Sequence, residues 1–233
     1  MQKYSSSFSE GSGNKLFAEF AGVFAIAFCA ISASIVVGSP LAPLAAALAA
    51  AFAYYAMSMA FYGISGAQFN PAITLSLYVL RKMPGGDALS YIIVQLLGSI
   101  MAALIAVSVF GSNAVLGFGV PFVTSMMPWS SAVLLESALT FLVALVYLAM
   151  HTSKRAPFEI SSTIAALMVA SGIAAAFVTG AVLNPARSFG AALVSGAMQS
   201  QSVYWFGPLL GAFVAALFYD YVIREKKAHG LEV

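Results

Sequence analysis

Apolar residues run through this chain in six long blocks, at 16–37, 41–62, 89–110, 130–150, 160–178 and 203–223. A helix rises 1.5 Å per residue, so a bilayer core is crossed by roughly 20 apolar residues. Each block is long enough or nearly so, and each is predicted to be a membrane-spanning helix. Pro40, Pro84, Pro128 and Pro157, with glycine or charge beside them, separate most of the blocks. Alanine crowds the helices, as at 45–47 and 174–176. Small side chains let helix backbones approach closely in lipid.

Two further apolar pieces are too short to span. After the second block the chain reads Ser65-Gly66-Ala67-Gln68-Phe69-Asn70-Pro71-Ala72, then two to three turns of plausible helix. After the fifth it reads Thr179-Gly180-Ala181-Val182-Leu183-Asn184-Pro185-Ala186-Arg187-Ser188, followed by a similar short helix. The two align without a gap, Asn70 against Asn184, at an offset of 114 residues. Glu19 in the first block and Glu136 in the fourth are offset by 117, so the repeat extends beyond the motif. Each unit contains three spans, so the second copy is inverted relative to the first. Interrupted short helices in matching halves point to a site near the bilayer midplane.

The Asn-Pro pair suits a helix start. Proline at the first helical position loses nothing by lacking an N–H, and asparagine is a preferred N-cap. Two such N-termini meeting in mid-membrane bring two partial positive charges together. Each asparagine also carries NH₂ donors that can face a lumen. Two of the four asparagines in the chain are used here.

Charge then orients the bundle. Lys3, Lys15, Arg81, Lys82, Lys154, Arg155, Arg224, Lys226 and Lys227 fall on alternate connections, which places both termini in the cytoplasm. Arg187 alone falls on the other side, and the stretch 111–129 carries no charge. Only 8% of residues are charged and 61% are hydrophobic, with a mean hydropathy of +0.95. An ordinary soluble domain carries about 25% charge; the lipid bilayer is therefore the expected surround. The net charge of +2 gives no reason to expect a nucleic-acid partner. Cys29 stands alone and matches no disulfide or metal spacing. No metal or other cofactor is expected. Serines such as Ser58 and Ser137 have no histidine at a recognisable spacing, so no enzyme activity is expected.

The chain resembles the aquaporin family over nearly its whole length. The resemblance is carried by Ala18-Glu19-Phe20, by Ser65-Gly66-Ala67, by both Asn-Pro-Ala motifs, by the run Asn184 to Gly190, and by Tyr204 to Pro208. It implies an all-α membrane protein with six transmembrane helices and two re-entrant half-helices in an inverted repeat. Repeat one covers about 15–110 and repeat two about 130–224, within a channel domain at 15–224; polar tails lie at 1–14 and 225–233. It also implies a homotetramer in the cell membrane with one pore per subunit, passing water and small neutral solutes.

Several site residues follow from the resemblance. Asn70, Pro71, Ala72, Asn184, Pro185 and Ala186 would meet in the pore, and Glu19 and Glu136 would support the loops. Arg187 matches the arginine of the family's constriction, repelling cations and donating to passing oxygens. Gap-free spacing puts the other constriction positions at Ala50, Gly172 and Ala181. Strict water channels usually carry an aromatic residue and a histidine at the first two, whereas here both are small and a wide constriction is expected. Small residues beside an arginine resemble nodulin-like channels and imply glycerol, urea or metalloid hydroxides as solutes. Ser188, Ala192, Tyr204 and Trp205 instead resemble the water-selective branch. Gln68 replaces a histidine common before the first motif. The rival reading is a secondary transporter with Glu19 and Glu136 as proton-coupling acids.

Overall fold

The structure, a computed structural model, describes residues 12–224. Most of the expected tail positions, including Lys3, Lys226, Lys227 and His229, lie outside the described residues. In order come α1 (Ser12–Val37), α2 (Ala42–Ser65), α3 (Pro71–Val79) and α4 (Gly85–Phe110), and then a short turn α5 (Ser112–Ala114). They are followed by α6 (Trp129–Thr152), α7 (Pro157–Thr179), α8 (Pro185–Ser195) and α9 (Gln201–Phe218). Among the described residues, six helices are long and apolar enough to cross a membrane. Each begins one to four residues from the start of its apolar block. Two departures are local: a π-helical turn at Val115–Gly119 follows α5, and another at Tyr219–Arg224 ends the last span.

The short helices α3 and α8 have nine and eleven residues. At 1.5 Å per residue each covers about half of a ~30 Å hydrocarbon core. Each starts with its asparagine as N-cap and its proline at the first turn.

Glycines set the helix packing, and they do so in duplicate. A Cβ on Gly98 of α4 would collide with the Phe20 carbonyl and crowd the Phe24 amide of α1. A Cβ on Gly211 of α9 would collide with the Ser137 carbonyl and crowd the Phe141 amide of α6. Phe20 and Phe24 lie 117 residues before Ser137 and Phe141, so the same backbone approach occurs in both repeats. Gly190 of α8 lies so close to the Ser99 backbone of α4 that any side chain there would overlap it. Its N–H donates to Ser99 Oγ at 3.0 Å.

Candidate functional site

The two loops ahead of α3 and α8 share one unusual backbone path. Gly66 and Gly180 take φ of 86° and 84°, and then Ala67, Phe69, Ala181 and Leu183 all adopt positive φ between 44° and 57°. Side chains rarely take this conformation, which costs of order 1–3 kcal/mol per residue. Something must hold the loops there.

The buried glutamates supply the restraint. Glu19 Oε1 accepts from Ser65 Oγ (2.7 Å) and the Gln68 N–H (3.0 Å), and its Oε2 from the Phe69 N–H (2.7 Å) and Gln95 Nε2 (2.8 Å). Glu136 Oε1 accepts from Thr179 Oγ1 (2.6 Å) and the Val182 N–H (3.0 Å), and its Oε2 from the Leu183 N–H (2.8 Å). Ser65 and Thr179, Gln68 and Val182, and Phe69 and Leu183 are each 114 residues apart. A hydrogen bond to a charged acceptor contributes about 1.5–3 kcal/mol. Three or four such bonds per carboxylate hold each loop in this path.

Tyrosines clamp the loop carbonyls from outside. Tyr91 donates to the Ser65 carbonyl (3.2 Å), Tyr147 to that of Gly66 (2.8 Å) and Tyr204 to that of Thr179 (2.7 Å).

The helix N-termini meet through their asparagines. Asn70 Oδ1 accepts from the Ala72 N–H (2.9 Å), and its Nδ2 donates to the Leu183 carbonyl (2.9 Å). Asn184 Oδ1 accepts from the Ala186 and Arg187 N–H groups (3.0 and 3.3 Å), and its Nδ2 donates to the Phe69 carbonyl (2.7 Å). Pro71, Pro185, Ala72 and Ala186 are buried at the first turns. An amide NH₂ has two hydrogens, and the single bond that each makes leaves the second for the space between the tips.

Two cavities meet at Arg187. On one side lies a vestibule of about 370 Å³, and on the other a narrow cavity of about 20 Å³ lined by Asn70, Asn184, Gln68 and apolar side chains such as Ile26, Ile73 and Val143. Arg187 lines both. Its Nη1 donates to the Ala181 carbonyl at 2.7 Å and, more weakly, to that of Val182 at 3.4 Å.

The other constriction positions sit differently. Ala181 contributes its carbonyl to Arg187. Ala50 is fully buried in the cluster that holds Ile26, Tyr54 and Phe69. Gly172 faces α2 so closely that a Cβ would lie 2.9 Å from the Ala47 Cβ. Neither Ala50 nor Gly172 lines the two cavities, where Ala46 and Phe177 border the vestibule and Ile164 and Met168 the narrow part. Gly172 lets α7 come close to α2 at Ala47. A cavity needs roughly 10–15 Å³ to hold one water, so the narrow part has room for little more than that.

Reading the chain alone did not single out Ser65, Thr179, Tyr91, Tyr147 or Gln95 for a role. The first two could have been found, because they stand at the repeat offset and are both hydroxylated. Gln95 Nε2 reaches both Glu19 and Thr74 Oγ1 (3.1 Å), a junction with no counterpart in the second repeat, where Pro208 stands at the offset of 113 that relates Tyr91 to Tyr204.

Six spanning helices around two half-helices that meet tip to tip define a polytopic membrane protein of the inverted-repeat channel type. A family model, Major intrinsic protein, matches residues 6–219. Aquaporin TIP1-2 of Zea mays is 37% identical over 82% of this chain and 75% of its own length. Aquaporin AqpM of Methanothermobacter thermautotrophicus is 36% identical over 76% of each. Aquaporin-4 of Notomys alexis is 37% identical over 71% of this chain, which spans only 52% of that relative. The solved aquaglyceroporin of Plasmodium falciparum has the same fold, with a TM-score of 0.80 and 22% identity over 91% of this chain and 97% of that one. The chain belongs to the major intrinsic protein family; it is an integral, multi-pass membrane channel protein and not a member of an enzyme family.

Proposed function

We propose that the chain conducts water passively through a path running from the vestibule past Arg187 to Asn70, Asn184 and Gln68. The observation that carries this reading is the narrow cavity of about 20 Å³ lined by both capping asparagines and Arg187. Water leaving bulk loses hydrogen bonds, and the wall returns some of them: donors from the asparagines and Arg187, and acceptors from the loop carbonyls. Apolar side chains line much of the rest and bind nothing, so transit is fast. Two half-helix N-termini facing one another make the centre unfavourable for cations and protons. Arg187 adds a full positive charge to that barrier. Glu19 and Glu136 hold the loops and do not carry protons, because their oxygens are already occupied by loop and side-chain donors. The native form is a homotetramer in the cell membrane with both termini cytoplasmic.

A second reading adds small uncharged solutes such as glycerol, urea or metalloid hydroxides. It is supported by the vestibule, whose volume of about 370 Å³ admits solutes of this size as far as Arg187. Stopped-flow light scattering on proteoliposomes decides between them. Fast water flux with glycerol, urea and arsenite at the background rate gives the first reading. Flux of any of these solutes above background gives the second. Proton current that follows solute flux would reject both in favour of coupled transport.

A further inference from the structure

The vestibule is a pocket as well as an entrance. Its volume of about 370 Å³ falls within the range of about 300–1,000 Å³ usual for small-molecule sites. Its walls are nearly free of available polar side chains. Ile31, Ala46, Phe118, Phe122 and Phe177 make it apolar. Ser34 spends its hydroxyl on the Phe118 carbonyl at 2.5 Å, and Ser39 sits on the exposed rim.

Arg187 borders this apolar cup and is 6% exposed. Its two hydrogen bonds both leave from Nη1, so among the described residues Nη2 and Nε have no protein acceptor. Among the described residues no carboxylate forms an ion pair with it within 4.0 Å. Glu136 spends both its oxygens on Thr179, Val182 and Leu183. Glu136 acts on Arg187 only through space, so this buried guanidinium has no directly bonded anion, and the free edge of its fork matches a planar two-oxygen anion.

We infer that the vestibule binds a small organic monoanion, with a carboxylate or sulfonate head on Arg187 and a short apolar or aromatic body against Phe118, Phe122 and Phe177, and that the bound anion plugs the path. The contrast in size supplies the plugging. A molecule that fits about 370 Å³ meets only about 20 Å³ beyond Arg187. Occupancy therefore blocks without passage. This inference rests on the channel reading only for its inhibitory effect and not for binding.

Benzenesulfonate is the probe, since it stays ionised and does not cross lipid as a neutral acid. Added to water-conducting proteoliposomes at millimolar concentration, it is expected to lower osmotic water permeability several-fold, acting from one face only. Benzyl alcohol, which has the same ring without the charge, is expected to leave flux unchanged. Ligand-observed NMR on detergent-solubilised protein is expected to detect benzenesulfonate binding in the parent and to lose it in Arg187→Val. Equal inhibition by the alcohol, or binding unaffected in Arg187→Val, would overturn the site. Protein that conducts water but neither binds nor responds to benzenesulfonate also overturns it, leaving the channel reading intact. Arg187-dependent binding by protein that conducts no water supports the site and counts against the channel reading alone.

Discussion

Asn70 and Asn184 each donate a side-chain hydrogen bond to the carbonyl immediately preceding the other, Leu183 at 2.9 Å and Phe69 at 2.7 Å. The two halves of the chain are thus tied by a reciprocal pair of bonds where the half-helices meet. Each asparagine also caps its own helix, so one side chain does two jobs.

Replacing either asparagine with alanine removes the cap, the crossing bond and a donor at the tip. Loss of an N-cap costs about 0.5–2 kcal/mol, and the orphaned Leu183 or Phe69 carbonyl adds about 1–3 kcal/mol if it stays dry. Asn70→Ala and Asn184→Ala are each expected to lower the melting temperature in detergent. If the bonds are coupled, the double variant will lose less than the sum of the singles. Strictly additive losses would show that the two bonds act independently.

Glu19→Gln and Glu136→Gln test the loop anchors. Glutamine keeps one acceptor but turns a donor toward an N–H already pointing at it. In the first variant the competing group is the Phe69 N–H, since Gln95 can turn its unpartnered Oε1 toward the new amide, and in the second it is the Leu183 N–H. Both are expected to be less stable by roughly one charged hydrogen bond, about 1.5–3 kcal/mol. Any surviving water flux should be independent of a proton gradient. A stable Glu19→Gln protein that has lost only gradient-driven uptake would instead make Glu19 a proton carrier.

Glycine packing gives a contrast that needs no functional assay. Gly190→Ala places a methyl group on the Ser99 backbone, which cannot move aside as a flexible side chain could. Gly63→Ala, with nothing within 4 Å of the added carbon, is its control. The first is expected to reduce the folded yield sharply or cost more than the usual ~1–3 kcal/mol of overpacking. The second is expected to be neutral or stabilising by about 0.5–1 kcal/mol. Size-exclusion profiles and thermal melts of the two read the difference directly.

Residues 46 and 50 separate two places for the constriction. Ala46 borders the vestibule, whereas Ala50 is fully buried. Ala46→Phe is expected to cut water flux several-fold with an unchanged melt. Ala50→Phe is expected to lower stability by about 1–3 kcal/mol through overpacking. The reverse pattern, flux lost with an intact melt at Ala50→Phe, would put the constriction at residue 50.

What could be read from the sequence was whatever repeats or runs long. Six apolar blocks announce six spans because lipid leaves the backbone no alternative to helix. The two Asn-Pro-Ala motifs mark the half-helices because a cap and a proline fix where a helix starts. The loops ahead of them are a different matter. Positive φ at Ala67, Phe69, Ala181 and Leu183 falls on residues that disfavour it, and it is imposed by carboxylates some 45 to 50 positions away in the chain. Tyr91, Tyr147 and Tyr204 likewise act on carbonyls that only the folded bundle brings within reach. Filter width was hidden for another reason. Ala50 and Gly172 state the size of two side chains, while the gap between helices depends on how far those helices then move together.

The glycine contacts at Gly98 and Gly211 have a topological consequence. Each packs against the same pair of backbone positions in its own half, so one three-span arrangement satisfies both roles. Because the contact lies inside each half, it is kept whichever way up that half sits in the bilayer.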